Sequence, residues 1–140
     1  MKIYLASPFF SENELSTVRE CEDILQALGH EVYSPRLHEA SGEKGTPVWS
    51  KETFSLNKKA IDASDVLVVL YWGNFSDTGT AWECGYAYGK GLPSVVVHLG
   101  SDSNLMIHEG TRSNIVDGTD GLRAFDFEKL PRYGYDGKMF

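Results

Sequence analysis

Cysteine is scarce: Cys21 and Cys84 are the only two in 140 residues, and neither stands in a CxxC pair or at Cys/His ligand spacing. That excludes a disulfide framework or a cysteine zinc site, and both residues read as buried small hydrophobes. His30, His38, His98 and His108 share no ligand spacing, so no metal site and no cofactor is expected. Positive charge is also short, with 13 Lys and Arg against 20 Asp and Glu and a net charge of −7. No basic run could follow a phosphate backbone, which excludes a nucleic-acid polymer as partner. Long hydrophobic runs are missing too. Residues 66–72 and 92–99 are too short to cross a bilayer, and the start of the chain lacks a signal peptide's apolar region. A cytoplasmic protein without a membrane partner is expected. GxGxxG after the first strand, GxxxxGK[ST], HExxH and GxSxG are all absent, so dinucleotide, P-loop, zincin and hydrolase-elbow chemistries have no support.

What is present is an ordinary globular composition, 41% hydrophobic and 24% charged, in a length that suits one domain over residues 1–140. Residues 2–6 alternate at strand period, and Leu15, Val18, Cys21, Leu25 and Leu28 then recur at helical spacing. Ser11 followed by Glu14 is a capping-box pattern, and Gly29 falls where the helix should stop. Residues 31–35 read as a second strand and 41–48 as a polar, Gly-containing loop. Residues 49–63 read as a second helix with Phe54, Leu56 and Ile61 partly inward. Residues 66–70 and 93–99 are branched apolar runs without alternation, as strands buried on both faces require. Residues 78–90 form a crossover helix between them. The alternation predicts an α/β fold: a flavodoxin-like, doubly wound open sheet, mostly parallel, of about five strands with flanking helices. Ligands in that architecture bind beyond the C-terminal strand ends, which directs attention to residues 7–12, 34–39, 71–83 and 100–109.

The chemistry on offer there is carboxylate chemistry. In Asp77-Thr78-Gly79-Thr80-Ala81-Trp82-Glu83-Cys84-Gly85-Tyr86-Ala87 one acid stands at a helix N-cap and a second stands among small and apolar residues. Asp77 can simply cap the helix, and Glu83 can lie on its polar side. The alternative is that Glu83 is buried, which is costly for a carboxylate unless it is hydrogen-bonded or functional. Phe9 and Phe10, near the end of the first strand, could stack on a planar ring.

These pieces together resemble the nucleoside 2-deoxyribosyltransferase family. The likeness is carried by KIYLASPFF at 2–10, YSPR at 33–36, SDVLVVL at 64–70, DTGTAWECGYA at 77–87, NLM at 104–106 and YDGKMF at 135–140, in the family's order and spacing. The resemblance implies a retaining, ping-pong transfer of 2-deoxyribose between nucleobases. Glu83 falls on the nucleophile that holds the sugar as an ester, Tyr4 on the tyrosine that orients it, and Asp77 on an aspartate at the sugar hydroxyls. Asn104 and Met106 fall on residues that a neighbouring subunit lends to the site, and Phe140 on a terminal residue that approaches it in some members. Deoxyribonucleosides and free nucleobases are the implied partners, in a homo-oligomer, dimer or hexamer, with shared sites. One position departs: the family's base-side aspartate is Asn57 here. An amide can donate a hydrogen bond but cannot deliver a proton. Asp77 or water then takes over, or the leaving base needs less acid help. Two other readings remain open on the sequence: a deoxynucleoside 5′-monophosphate N-glycosidase and a non-catalytic nucleotide-binding module.

Overall fold

The branched run Val66–Tyr71 is buried at all six positions, and the rest of the molecule is arranged to cover it. In the computed structural model, which describes residues 1–140, it forms β3, the middle strand of a five-stranded sheet. The order is β2 (Glu31–Tyr33), β1 (Lys2–Ala6), β3, β4 (Ser94–His98), β5 (Ser113–Ile115). Every neighbouring pair is parallel, so the expectation of a mostly parallel sheet sharpens to a wholly parallel one. Four helices join the strands, α1 (Glu12–Ala27), α2 (Pro47–Asp62), α3 (Thr78–Gly89) and α4 (Leu105–Glu109), and a fifth, α5 (Gly118–Arg123), follows the last strand. None is long and apolar enough to cross a membrane.

Helix α1 begins where its capping box dictates. Ser11 Oγ accepts from the Glu14 amide at 3.2 Å and the Glu14 carboxylate accepts from the Ser11 amide at 2.8 Å; Gly29 then turns the chain at φ 89°. Its apolar stripe, Val18, Cys21, Ile24 and Leu25, packs with Ile3, Leu5, Val66 and Val68. Glu22 is buried on the same helix because Arg36 pairs with it, Nε to Oε1 at 2.8 Å.

Two boundaries and one side chain's orientation differ from the sequence reading. β2 stops at Tyr33 because Ser34 turns into a 3-10 turn opened by Pro35, and proline cannot donate to a strand ladder. α2 starts at Pro47, two residues early, with Thr46 as cap and proline in the first turn where its missing N–H costs nothing. Phe54, expected partly inward, is 53% exposed, because α2 buries only Ile61.

Because side chains alternate along a strand, the sheet has two different faces. Ile3, Leu5, Val66, Val68, Val95 and Val97 face α1 and α5, whereas Tyr4, Ala6, Leu67, Val69, Tyr71 and Val96 share a cluster with Ile61 of α2 and Ala87 of α3. The strand order reverses between β1 and β3. A crevice therefore opens beyond their C-terminal ends, and the N-terminus of α3, which follows β3, is delivered to it.

Candidate active site

Tyr4 is the middle residue of β1, fully buried on the α2 and α3 side of the sheet. Its ring stacks on Tyr33 at 5.5 Å, and Tyr33 stacks in turn on His38 at 4.0 Å, so the phenol has little freedom. Its hydroxyl donates to Glu83 Oε1 at 3.0 Å. Burial pushes the Tyr4 phenol far above its ordinary value, and the adjacent Glu83 pushes it further; it is a fixed donor. Burial also lifts Glu83 to about 8, against the pull of the Tyr4 hydrogen bond and with help from the Asp77 charge. Glu83 falls between the two sequence readings: it is half-buried, hydrogen-bonded on one oxygen, with a second acid nearby.

Asp77 is the N-cap of α3, its Oδ1 accepting from the Thr80 amide at 3.1 Å. Capping and site formation are thus compatible in one residue. Cys84 is only partly buried, unlike Cys21, and lines a cavity. Burial and the Glu83 charge push its thiol up to about 12, so it stays protonated and is no competing nucleophile.

Two cavities flank α3. The smaller, about 270 Å³, lies between α2 and α3 and is lined by Phe54, Asn57, Lys58, Ile61, Gly79, Trp82 and Glu83. Phe54 and Trp82 meet edge to face at 5.3 Å on its wall. Asp62 ties the two helices together, taking Lys58 Nζ at 3.0 Å, the Tyr86 hydroxyl at 2.6 Å and Lys90. The larger, about 660 Å³, lies between α3 and α4 and takes in Tyr71, Ser76, Asp77, Thr78, Cys84, Tyr88, Asn104, Met106 and Phe140. Asn104 caps α4 through the Met106 amide at 2.9 Å, and its own amide donates to the Tyr71 hydroxyl at 3.1 Å. Phe140 is held beside it by two backbone hydrogen bonds of 3.0 Å, to Ser103 and from Leu105.

The fold therefore gathers Tyr4, Asn57, Asp77 and Glu83 around the start of α3. It sets Asn104, Met106 and Phe140 apart on the far wall of the larger cavity, with Met106 75% exposed. Phe9 packs against the core and Phe10 stacks on it at 5.7 Å, itself exposed; neither lines these two cavities. Sequence reasoning missed Phe54, Lys58 and Trp82, which wall the Glu83 cavity, and Tyr71, which anchors Asn104. Only Trp82 carried a signal, as a large ring adjoining Glu83 on an otherwise small-residue helix.

The chain is similar to proteins of known kind. Residues 3–127 match the family described as nucleoside 2-deoxyribosyltransferase. A nucleoside deoxyribosyltransferase of Lactobacillus johnsonii is 30% identical over 96 residues, 66% of this chain and 63% of that protein. One of Limosilactobacillus fermentum is 25% identical over 99% of this chain and 88% of its own length. The solved structure of the 2-deoxyribosyltransferase of Bacillus psychrosaccharolyticus is 36% identical, covers 97% of this chain and all of its own, and superposes with a TM-score of 0.89. A CMP N-glycosidase of Clostridium botulinum, 17% identical with a TM-score of 0.59 over 83% of this chain and 87% of its own, shares the fold. The five-stranded doubly wound sheet, the buried Tyr4–Glu83 pair and these matches lead to one conclusion: the chain belongs to the nucleoside 2-deoxyribosyltransferase family of glycosyl-transferring enzymes.

Proposed function

We propose that this protein moves 2-deoxyribose from one nucleobase to another through an ester on Glu83. The observation that carries the reading is the desolvated Glu83 carboxylate, held by the Tyr4 hydroxyl at 3.0 Å and bordered by the Asp77 charge. Deoxyribose lacks an electron-withdrawing 2-hydroxyl, so positive charge develops readily at the anomeric carbon, and two nearby carboxylates favour it. A Glu83 oxygen forms a bond to that carbon as the C–N bond breaks, and the base departs with the electron pair. A ring nitrogen of the second base then attacks, the C–O bond breaks, and its electrons return to Glu83. Two inversions give retention. Asn57 borders the same cavity as a hydrogen-bond donor to the base, while the proton comes from water or from a base that departs already protonated.

Nucleosides are favoured over their monophosphates. The positive end of a helix is an anion site, but at α3 the Asp77 carboxylate occupies it and repels a phosphate. Hydrolysis is the second reading, and the missing acid at Asn57 favours a third, a non-catalytic nucleotide-binding module. Phe9 and Phe10 offer rings on which a base could stack. Asn104, Met106 and Phe140 stand on an exposed, partly apolar wall away from Glu83, which suits residues lent to a second copy in a homo-oligomer with shared sites.

Incubating the protein with a deoxynucleoside and a different free base separates these readings. A new nucleoside is the expected product, with a deoxyribosyl adduct on the peptide containing Glu83. Free deoxyribose as the sole product would establish the hydrolase, and base binding without turnover a non-catalytic module. Mixing Glu83→Ala with Asn104→Ala subunits should restore activity in hybrid sites, and a fully active monomer would contradict the sharing.

A further inference from the structure

Two buried histidines take no part in this chemistry, yet they lie directly under the segment that carries Asn104 and Phe140. His98 closes β4 and His108 sits on α4, 6% and 3% exposed. The ring of Tyr135 packs on both, its centroid 4.5 Å from His98 and 4.8 Å from His108. Asn114 of β5 links them. Its Oδ1 lies 2.8 Å from His98 Nε2, and its Nδ2 donates to the backbone oxygens of His108 and Tyr133, each at 3.1 Å. His108 Nδ1 lies 3.0 Å from Ser103 Oγ. Ser103 is also where residues 138–140 dock, its amide donating to the Lys138 oxygen and its oxygen accepting from the Phe140 amide, each at 3.0 Å. The Tyr135 hydroxyl donates to the same Lys138 oxygen at 2.9 Å.

The hydrogen-bond roles in this cluster are determined. Both donors of the Asn114 amide are spent on backbone oxygens, so its oxygen is the acceptor and His98 Nε2 carries the hydrogen. Nδ1 of a neutral His98 is then bare, and it is buried without a partner, as is His108 Nε2. A further proton on the His98 ring would put a donor where no acceptor waits, and burial holds His98 below its ordinary pKa. The charged groups facing the cluster are Glu109 of α4, 3.7 Å from His108 Nε2, and Asp102 and Asp136 beside Tyr135. The Tyr71 ring of β3 meets His98 at 5.9 Å.

We propose that His98, His108 and Tyr135 form a clasp that holds Asn104 and Phe140 in place for the reaction, which makes them positioning residues; this rests on the transferase reading above. The clasp is made for a neutral His98 imidazole. Its contribution is therefore complete above the ordinary histidine value of 6.5 and is lost as the pH falls below it toward the lowered folded-state value.

Amide hydrogen exchange on the whole protein reads the clasp without turnover. Between about pH 8 and pH 5, after correction for intrinsic rates, Leu105, Tyr133 and Phe140 should lose about tenfold in protection while Val68 keeps its own. His98→Gln and His108→Asn place an amide N–H where the ring N–H was and cannot take a proton. They should retain kcat and make that protection independent of pH. His108→Ala should raise the nucleoside KM about tenfold while leaving the acid limb set by Glu83 where it is. Its defect should be rescued by mixing with Glu83→Ala subunits and not with Asn104→Ala subunits. Tyr135→Leu, on a partly exposed ring, gives the same test if the alanine variant does not fold. Protection that ignores pH in the wild type, or rescue by Asn104→Ala, overturns the proposal. An active Glu83→Ala overturns the transferase reading instead and leaves the exchange result to decide the clasp.

Discussion

The two faces of one sheet are built to opposite ends. β1 sends Ile3 and Leu5 to the α1 and α5 side, where fifteen buried apolar residues close into one cluster. Polar side chains on that face, Ser113 beside Val95 and Glu22 of α1, are buried only with a partner of their own. The same strand sends Tyr4 and Ala6 to the other side, where the cluster has nine members, two of them tyrosines, and α2 adds only Ile61. Close-packed hydrocarbon resists rearrangement, so the first face can supply stability. The second is left loosely covered, with a cavity on each side of α3. Room for a ligand and a desolvated carboxylate are obtained by packing one face less completely, and the penalty is met by the other.

If that division holds, damage on the two faces separates into lost activity and lost stability. Glu83→Ala should cut transfer by about a thousandfold or more with the thermal midpoint nearly unchanged, since a missing nucleophile is not replaced by binding energy. A variant retaining a tenth of wild-type turnover would break the comparison. The mirror experiment is Leu25→Ala on the sealed face, at a fully buried position. Denaturant unfolding should show a loss of about 2–5 kcal/mol, with activity below the melting temperature kept.

Tyr4→Phe sharpens the contrast within the open face. The hydroxyl holds Glu83 down, and about 8 is the value with that bond in place. The nucleophile is the ionised form, so kcat/KM of the wild type should fall as pH drops below about 8. Removing the hydroxyl should move that limb upward by about one pH unit, a loss of about tenfold at neutral pH. An unmoved limb would show that another group sets it. The smallest effect is expected at Asn57→Asp. It should raise rates severalfold on donors with the poorest leaving bases and add an alkaline limb that the wild type lacks, measured with one purine and one pyrimidine nucleoside. A changed base preference with an unchanged pH profile would mean that residue 57 reads the base edge and moves no proton.

The sealed face was the more legible in the sequence. Continuous runs of Val and Leu in β3 and β4 and the capped, periodic α1 announce themselves, because burial and capping are local in pattern. β5 did not: it is three residues, Ser113-Asn114-Ile115, with a polar pair that acquires its meaning only from Tyr133, Pro131 and His98. α4 and α5 are too short to show a period. At the site, Asp77 and Glu83 share one motif and were paired from it, whereas Tyr4, 79 residues from Glu83, was joined to them beforehand only by resemblance. The cavity walls at Phe54, Lys58 and Trp82 depend on how α2 leans on α3, which no local spacing encodes. Phe9 and Phe10 stand outside both cavities beside α3; an aromatic beside a strand end reads as a binding ring whether or not it borders one.

The loops that carry Asp77 and Asn104 cross in backbone contact. Gly73 takes φ 63°, and a Cβ there would meet Asp102 Oδ1 at 2.2 Å; a Cβ on Gly100 would meet the Trp72 oxygen at 2.5 Å. The Asn74 amide donates to Asp102 Oδ1 at 3.0 Å and the Leu99 amide to the Tyr71 oxygen at 2.8 Å. These contacts tie the two loops together at their backbones. In the shared-site reading proposed above, a methyl group at either glycine would therefore shift the asparagine a subunit lends relative to the carboxylate it keeps.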